Sequence, residues 1–165
     1  MITRTKLIVA LASALSLLGL LGCGQTNHLQ TITLTSANSS GTFNVVGIGG
    51  TLQLTATGNY SSTQTHDLTN VVTYTVTPTG TDSNTGLALP APPQTLTMSV
   101  TGMATAVDPS ACTWINLQTD PTKSPAWALT GSYKVTATFQ GIISQPVFIA
   151  VASSAGPAPT GACGP

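Results

Sequence analysis

Few side chains in this 165-residue chain can do chemistry: two histidines, four acidic and four basic residues, three cysteines and two tryptophans. His66-Asp67 supplies a base and a carboxylate that could orient it, among many serine and threonine hydroxyls. A hydrolytic site also needs a nucleophile presented to that base, and no nucleophile-elbow sequence is present. Asp82-Ser83-Asn84-Thr85-Gly86 opens with the alternating oxygen ligands of a calcium loop. The glutamate that should close such a loop is missing, because the chain has no glutamate, and Asx-turn chemistry explains the same residues. Zinc would need more imidazole and thiolate than is on offer. No catalytic residue, metal or other cofactor is therefore expected. Trp114 and Trp127 flank an irregular stretch and could stack the faces of sugar rings; the alternative is that one tops the core and the other covers a disulfide.

The cysteines carry more information. Arg4 and Lys6 precede the apolar run Leu7 to Leu21, which reads as the n-region and h-region of an export signal. The run is too short to span a bilayer comfortably, since spanning takes roughly 20 apolar residues. It ends in Leu20-Leu21-Gly22-Cys23, which resembles the lipobox of bacterial lipoproteins: an aliphatic residue three before the cysteine and a small one directly before it. That resemblance implies removal of residues 1–22, a diacylglyceryl thioether on Cys23, and a further acyl chain such as palmitate on the new amino terminus. Each buried CH₂ contributes about 0.8 kcal/mol, so two or three chains anchor a protein firmly. Gly24-Gln25 stands where an aspartate would retain some lipoproteins in the inner membrane. The expected location is the cell envelope, outside the cytoplasm, and the outer membrane in a Gram-negative cell.

With Cys23 lipidated, Cys112 and Cys163 remain as an even pair in an oxidising compartment, and a disulfide between them is expected. It would close a loop of about 50 residues and contribute on the order of 4 kcal/mol by chain-entropy reasoning. The alternatives are two unrelated thiols, or a disordered end with a free Cys163.

Without the signal, Lys123 and Lys134 stand against Asp67, Asp82, Asp108 and Asp120, a formal charge of −2. Two lysines cannot form a basic stripe, which excludes nucleic-acid binding through phosphate neutralisation. The solvent face must be built from Thr, Ser, Asn and Gln, as in β-rich exported proteins whose hydroxyls pair across strands.

The elements follow from period-two alternation. Thr31 to Thr35 opens the domain, Phe43 to Gly50 is a glycine-broken edge piece, and Thr51 to Gly58 puts Leu52, Leu54 and Ala56 on one face. Val71 to Thr77 aligns Val72, Tyr74 and Val76; Leu96 to Val100 aligns Leu96, Met98 and Val100; Met103 to Val107 follows a small turn. Cys112 to Leu117 is a further short strand, and Tyr133 to Phe139, with Tyr133, Val135, Ala137 and Phe139 alternating inward, pairs with Gln145 to Val151 around Gln140-Gly141. Pro78 to Pro93 and Gln118 to Pro125 are irregular insertions. Seven to nine strands without a helical period predict an all-β sandwich.

In this order the pieces resemble the group 2 bacterial Ig-like domains of intimin and invasin-type adhesins. The matching segments are Ile32-Thr33-Leu34, Gly49 to Thr57, Val71 to Val76, Val100 to Val107 and Gly131 to Thr138, with Tyr74 where the family usually carries a core tryptophan. The resemblance implies an Ig-like Greek-key β-sandwich with a structural or adhesion role. It divides the chain into a lipoprotein signal peptide (1–22), a lipidated tether (23–30), the sandwich (31–152) and a flexible tail (153–165). The expected partners are the membrane, through the anchor, and envelope proteins or glycans. A carbohydrate-binding lipoprotein using Trp114 or Trp127 is the alternative.

Overall fold

The computed structural model describes residues 27–37, 43–82, 85–107 and 114–152. They form two packed β-sheets and a separate two-stranded ribbon, an all-β, sandwich-like architecture. The first sheet has the order β1 (Leu29–Ser36), β3 (Thr51–Tyr60), β7 (Met103–Ala106), β6 (Leu96–Met98), with β4 (Thr65–Asp67) beside the lower half of β3. The second has the order β11 (Ile142–Ile143), β10 (Tyr133–Phe139), β12 (Val147–Ala152), β2 (Asn44–Val46), with β5 (Thr73–Pro78) on the other edge of β10. The ribbon joins β8 (Trp114–Asn116) to β9 (Trp127–Leu129). All pairings are antiparallel except β2 with β12, which is parallel.

The inward alternation predicts most of the core. Leu52, Leu54 and Ala56 of β3, Tyr133, Val135 and Ala137 of β10, and Ile32 and Leu34 of β1 are all buried, and Leu96, Ala104 and Ala106 close the first sheet. Tyr74 and Val76 pack against this cluster from β5 without full burial. The outward positions of β1, β3 and β5 are mostly threonine, whose branched Cβ suits a pleated surface while its hydroxyl stays in water.

The structure differs from the predicted elements in several places. The described strands number twelve against the predicted seven to nine. The extra ones are β4, β9 and β11, of two or three residues; such pieces are too short to alternate visibly and exist through pairing with a neighbour. β1 begins at Leu29, inside the predicted tether, because Leu29 packs with Leu68 over Gly58, where a Cβ would strike both leucines. Val100 leaves its predicted face and is 78% exposed. The strand stops at Met98 because the Ser99 hydroxyl oxygen accepts from the N–H of Thr101 and of Met103, closing a turn that Gly102 completes at φ +79. Gln140 and Gly141 both have positive φ, the two-residue hairpin geometry that matches strand twist.

The expected disulfide is withdrawn. No Cys–Cys pairing is present among the described residues, and Cys112 and Cys163 both lie outside them, as does Cys23.

Strand directions divide the molecule into two poles. β1 starts at the lower pole and β3 ends there; β2 and β3 are joined by the four-residue turn Gly47 to Gly50, which fixes their shared end as the upper pole. β5, β7 and β12 therefore run upward, and β6 and β10 downward. The connections 79–95 and 107–132 both start where an upward strand ends and finish where a downward one begins. Both long insertions thus lie at the pole opposite the start of β1.

Candidate functional site

His66 and Asp67 are adjacent on β4, so their side chains leave opposite faces of the strand. His66 instead packs edge-on against Tyr60, with ring centroids 5.1 Å apart. The Asp67 Oδ1 accepts from the Thr69 N–H at 2.8 Å, and the Thr69 hydroxyl and N–H hold its carboxyl below the ordinary carboxylate value. Thr69 is a structural hub. Its buried Oγ1 accepts from the Ala56 N–H at 3.0 Å, and its carbonyl accepts from the Tyr74 hydroxyl at 3.2 Å. Burial first, then the charge of Asp67, pushes the Tyr74 phenol above its usual value. The histidine and aspartate thus serve packing and turn geometry and do not meet as a dyad.

The calcium-like segment is also committed locally. Asp82 Oδ1 accepts from the Thr85 N–H at 2.7 Å and lies 3.0 Å from the Thr85 hydroxyl, while Ser83 and Asn84 lie outside the described residues. Asp120 repeats the arrangement with Thr122, whose hydroxyl and N–H lower its carboxyl pKa, and it lies 3.9 Å from Lys123. Among the described residues no three His, Cys, Asp or Glu side chains gather where they could hold a metal ion.

The tryptophans are brought together on one element. Trp114 lies opposite Leu129 and Asn116 opposite Trp127, so all four share one face of the ribbon and the indoles are diagonal neighbours. Trp127 is 40% exposed, Trp114 is half-buried, and the indole Nε1 of Trp114 is shielded from solvent with no acceptor. The only ring contact among the described residues is that of Tyr60 with His66, so the two indoles do not stack on one another. Asn116 is occupied in shaping the ribbon's loop: its Oδ1 accepts from the N–H of Gln118 and of Ala126.

The upper pole is a coherent surface because its two long connections are stitched together. The Thr79 N–H donates to the Ser132 carbonyl at 2.8 Å, the Ser132 hydroxyl donates to the Thr81 carbonyl at 2.8 Å, and the Gly131 N–H donates to the Pro90 carbonyl at 2.9 Å. Gly131 is required there, since a Cβ would collide with the Thr79 carbonyl oxygen. The fully buried Tyr133 sends its hydroxyl to the Pro93 carbonyl at 2.6 Å and the Thr95 hydroxyl at 2.8 Å, tying the first connection to the core. Leu87, Val107, Leu117 and Trp127, each 40 to 54% exposed, all belong to these two connections. Sequence patterning finds the insertions as irregular stretches. Their union depends on contacts across 40 or more residues, which no local pattern signals.

The lower pole is tied to the incoming chain. Asn27 Oδ1 accepts from the Ser62 hydroxyl at 2.8 Å, Asn27 Nδ2 donates to Gln64 Oε1, and the His28 carbonyl accepts from the Ser61 N–H at 3.0 Å.

No protein-family model matches this chain, and no curated protein matches it.

Proposed function

We propose that this chain is a lipid-anchored, extracytoplasmic module of immunoglobulin-like type that presents its upper pole for structural or adhesive contacts in a bacterial envelope. The strand order carries the proposal. An immunoglobulin-type sandwich places strands A, B, E and D in one sheet and C, F and G in the other. Reading β1, β3, β7 and β6 as A, B, E and D, and β5, β10 and β12 as C, F and G, reproduces that order. β2 then crosses between sheets to pair in parallel with the last strand. Tyr133 supports the same reading: it opens the F-like strand with its hydroxyl on a backbone carbonyl, the position of a tyrosine corner, although that carbonyl belongs here to the C–D connection.

Anchorage at Cys23 gives the two poles different roles. Cys23 stands four residues before Asn27, which spans about 14 Å at most. The turn Ser61 to Gln64 would rest close to the bilayer, and the joined loops with Trp127 would face outward. Intact mass of the protein extracted from its native membrane tests the anchor. The expected species begins at an acylated Cys23 and is lost to the soluble fraction in the Cys23→Ser variant. A full-length or unacylated chain would overturn the proposal.

A second reading, a carbohydrate-binding lipoprotein, is favoured by one observation: Trp127 is exposed on the same ribbon face as Trp114. Titration with neutral polysaccharides, read by tryptophan fluorescence, separates the two. Saturable quenching that disappears in Trp127→Ala supports sugar binding; an unchanged spectrum removes it.

A further inference from the structure

We propose that the free edge of β5 is a self-complementary interface through which two copies of this chain join their second sheets into one. β10 covers one edge of β5 in continuous register from Thr73 to Pro78. The hydrogen-bond alternation of an antiparallel pair decides which residues look outward. Pro78 has no N–H, the Thr79 N–H donates to the Ser132 carbonyl, and Ala137, opposite Tyr74, donates its N–H to the Ser144 hydroxyl oxygen and accepts from the Ser144 N–H on the far side of β10. Thr73, Thr75 and Thr77 therefore bond to β10, and Tyr74 and Val76 aim their N–H and C=O groups at the free edge. Among the described residues nothing pairs with that edge.

The edge fits its own copy. Antiparallel pairing about a two-fold axis at Thr75 sets Tyr74 against Val76 of the second copy and the reverse, giving four backbone hydrogen bonds. Thr75 faces Thr75, and Thr73 faces Thr77, on the outer surface, where threonine pairs are favourable. Residues 73–78 carry no charge. Lys134 lies beside Thr77, so the two lysines fall at opposite ends of the paired strands, and Asp67, whose charge reaches the Tyr74 phenol, sits on β4 of the other sheet. The same register brings Pro78 of the second copy beside Val72. There a cleft of about 200 Å³ is lined by Val72, Thr73, Tyr74, Met98, Ser99 and Val100. Val100, which is 78% exposed in the wall of this cleft, would be covered. Edge strands that must stay unpaired usually carry lysine, a bulge or a cover, and β5 carries neither lysine nor bulge over its first five residues. An isologous C₂ dimer is the assembly that such an edge specifies.

Sedimentation equilibrium of the full chain in density-matched detergent tests the proposal, together with two variants. Wild type should reach twice the monomer mass with rising concentration. Thr75→Lys, at an exposed position that sets like charges face to face on the axis, should remain monomeric with an unchanged circular dichroism spectrum. In Thr75→Cys the two introduced thiols face one another at a non-hydrogen-bonded position, where Cα atoms lie about 4.5 Å apart, within disulfide range. Mild oxidation should therefore yield a peptide cross-linked from position 75 to position 75. Thr73→Cys, facing Thr77, should give no such self-link. A monomer at every soluble concentration without the 75-to-75 cross-link would overturn the proposal, as would a dimer that Thr75→Lys leaves intact.

Discussion

Replacing Tyr133 with phenylalanine removes one oxygen from a fully buried side chain and leaves its ring packing in place. The hydroxyl lies 2.6 Å from the Pro93 carbonyl and 2.8 Å from the Thr95 hydroxyl, and it is the link between the core strand β10 and the 79–95 connection. The Pro93 carbonyl keeps a second donor, the Thr95 N–H at 2.9 Å, so the variant does not leave it orphaned. The cost should therefore be that of the lost hydrogen bonds, about 1 kcal/mol and no more than about 2, without the full desolvation penalty of a stranded group. For a domain of this size that lowers Tm by roughly 3 to 8 °C. Hydrogen exchange gives the sharper signature. The amides of Gly131, Ser132 and Thr79, which bridge the two connections, should exchange faster, while those of β3 change only with global stability. Tyr133→Ala, which also empties core volume, should cost about 3–5 kcal/mol. Equal protection of the bridging amides in wild type and Tyr133→Phe would refute the claim that this hydroxyl holds the upper pole together.

Thr69→Val keeps the shape of the side chain but strands the buried Ala56 N–H, so denaturant unfolding should show a loss of about 1–3 kcal/mol, whereas Thr69→Ser should retain most of the stability. Gly102→Ala must take φ +79 and bring a Cβ within 2.6 Å of the Leu54 carbonyl oxygen, so it should cost more than about 2 kcal/mol; Gly141→Ala, at the same φ with open space around it, should cost about 1–2 kcal/mol. Asp67 and Asp120 have folded pKa values below their unfolded ones, so their contribution is present above about pH 4 and is lost as pH falls through the folded values. Tm should decline in that acid window, less steeply in Asp67→Asn; a Tm that rises on acidification would contradict the assignment. The raised Tyr74 phenol has the opposite sign: its contribution is complete below about pH 10 and declines as pH rises through the folded value, a loss that Tyr74→Phe should diminish.

The core was legible because burial on a strand leaves a period-two trace. Leu52, Leu54 and Ala56, and likewise Tyr133, Val135 and Ala137, declare their faces in sequence and are buried as read. Val100 misled because its alternation continues past a turn that Ser99 imposes through side-chain hydrogen bonds. The ribbon was half legible: Trp114 to Asn116 shows as a strand, but Trp127-Ala128-Leu129 is too short to alternate, and only the pairing assigns both indoles to one face. His66-Asp67 and Asp82 to Gly86 resemble chemistry in sequence because turn-forming and ligand-forming residues are the same types. In the structure Asp67 and Asp82 are taken up by Thr69 and Thr85. The union of the two insertions at one pole was not legible, since Tyr133 and Pro93 are 40 residues apart.

The separation of the poles can be measured as a distance from the membrane. A fluorescent amino acid would be placed at Ser62 or at Trp127 of the chain whose anchorage at Cys23 is proposed, and energy transfer to acceptor-labelled lipid headgroups recorded for each. β3 alone, ten residues long, spans about 34 Å between the poles. Strong transfer from position 62 and weak transfer from position 127 are the result expected of a chain held at its lower pole with its joined loops outward. Equal transfer from the two positions, or stronger transfer from position 127, would contradict it.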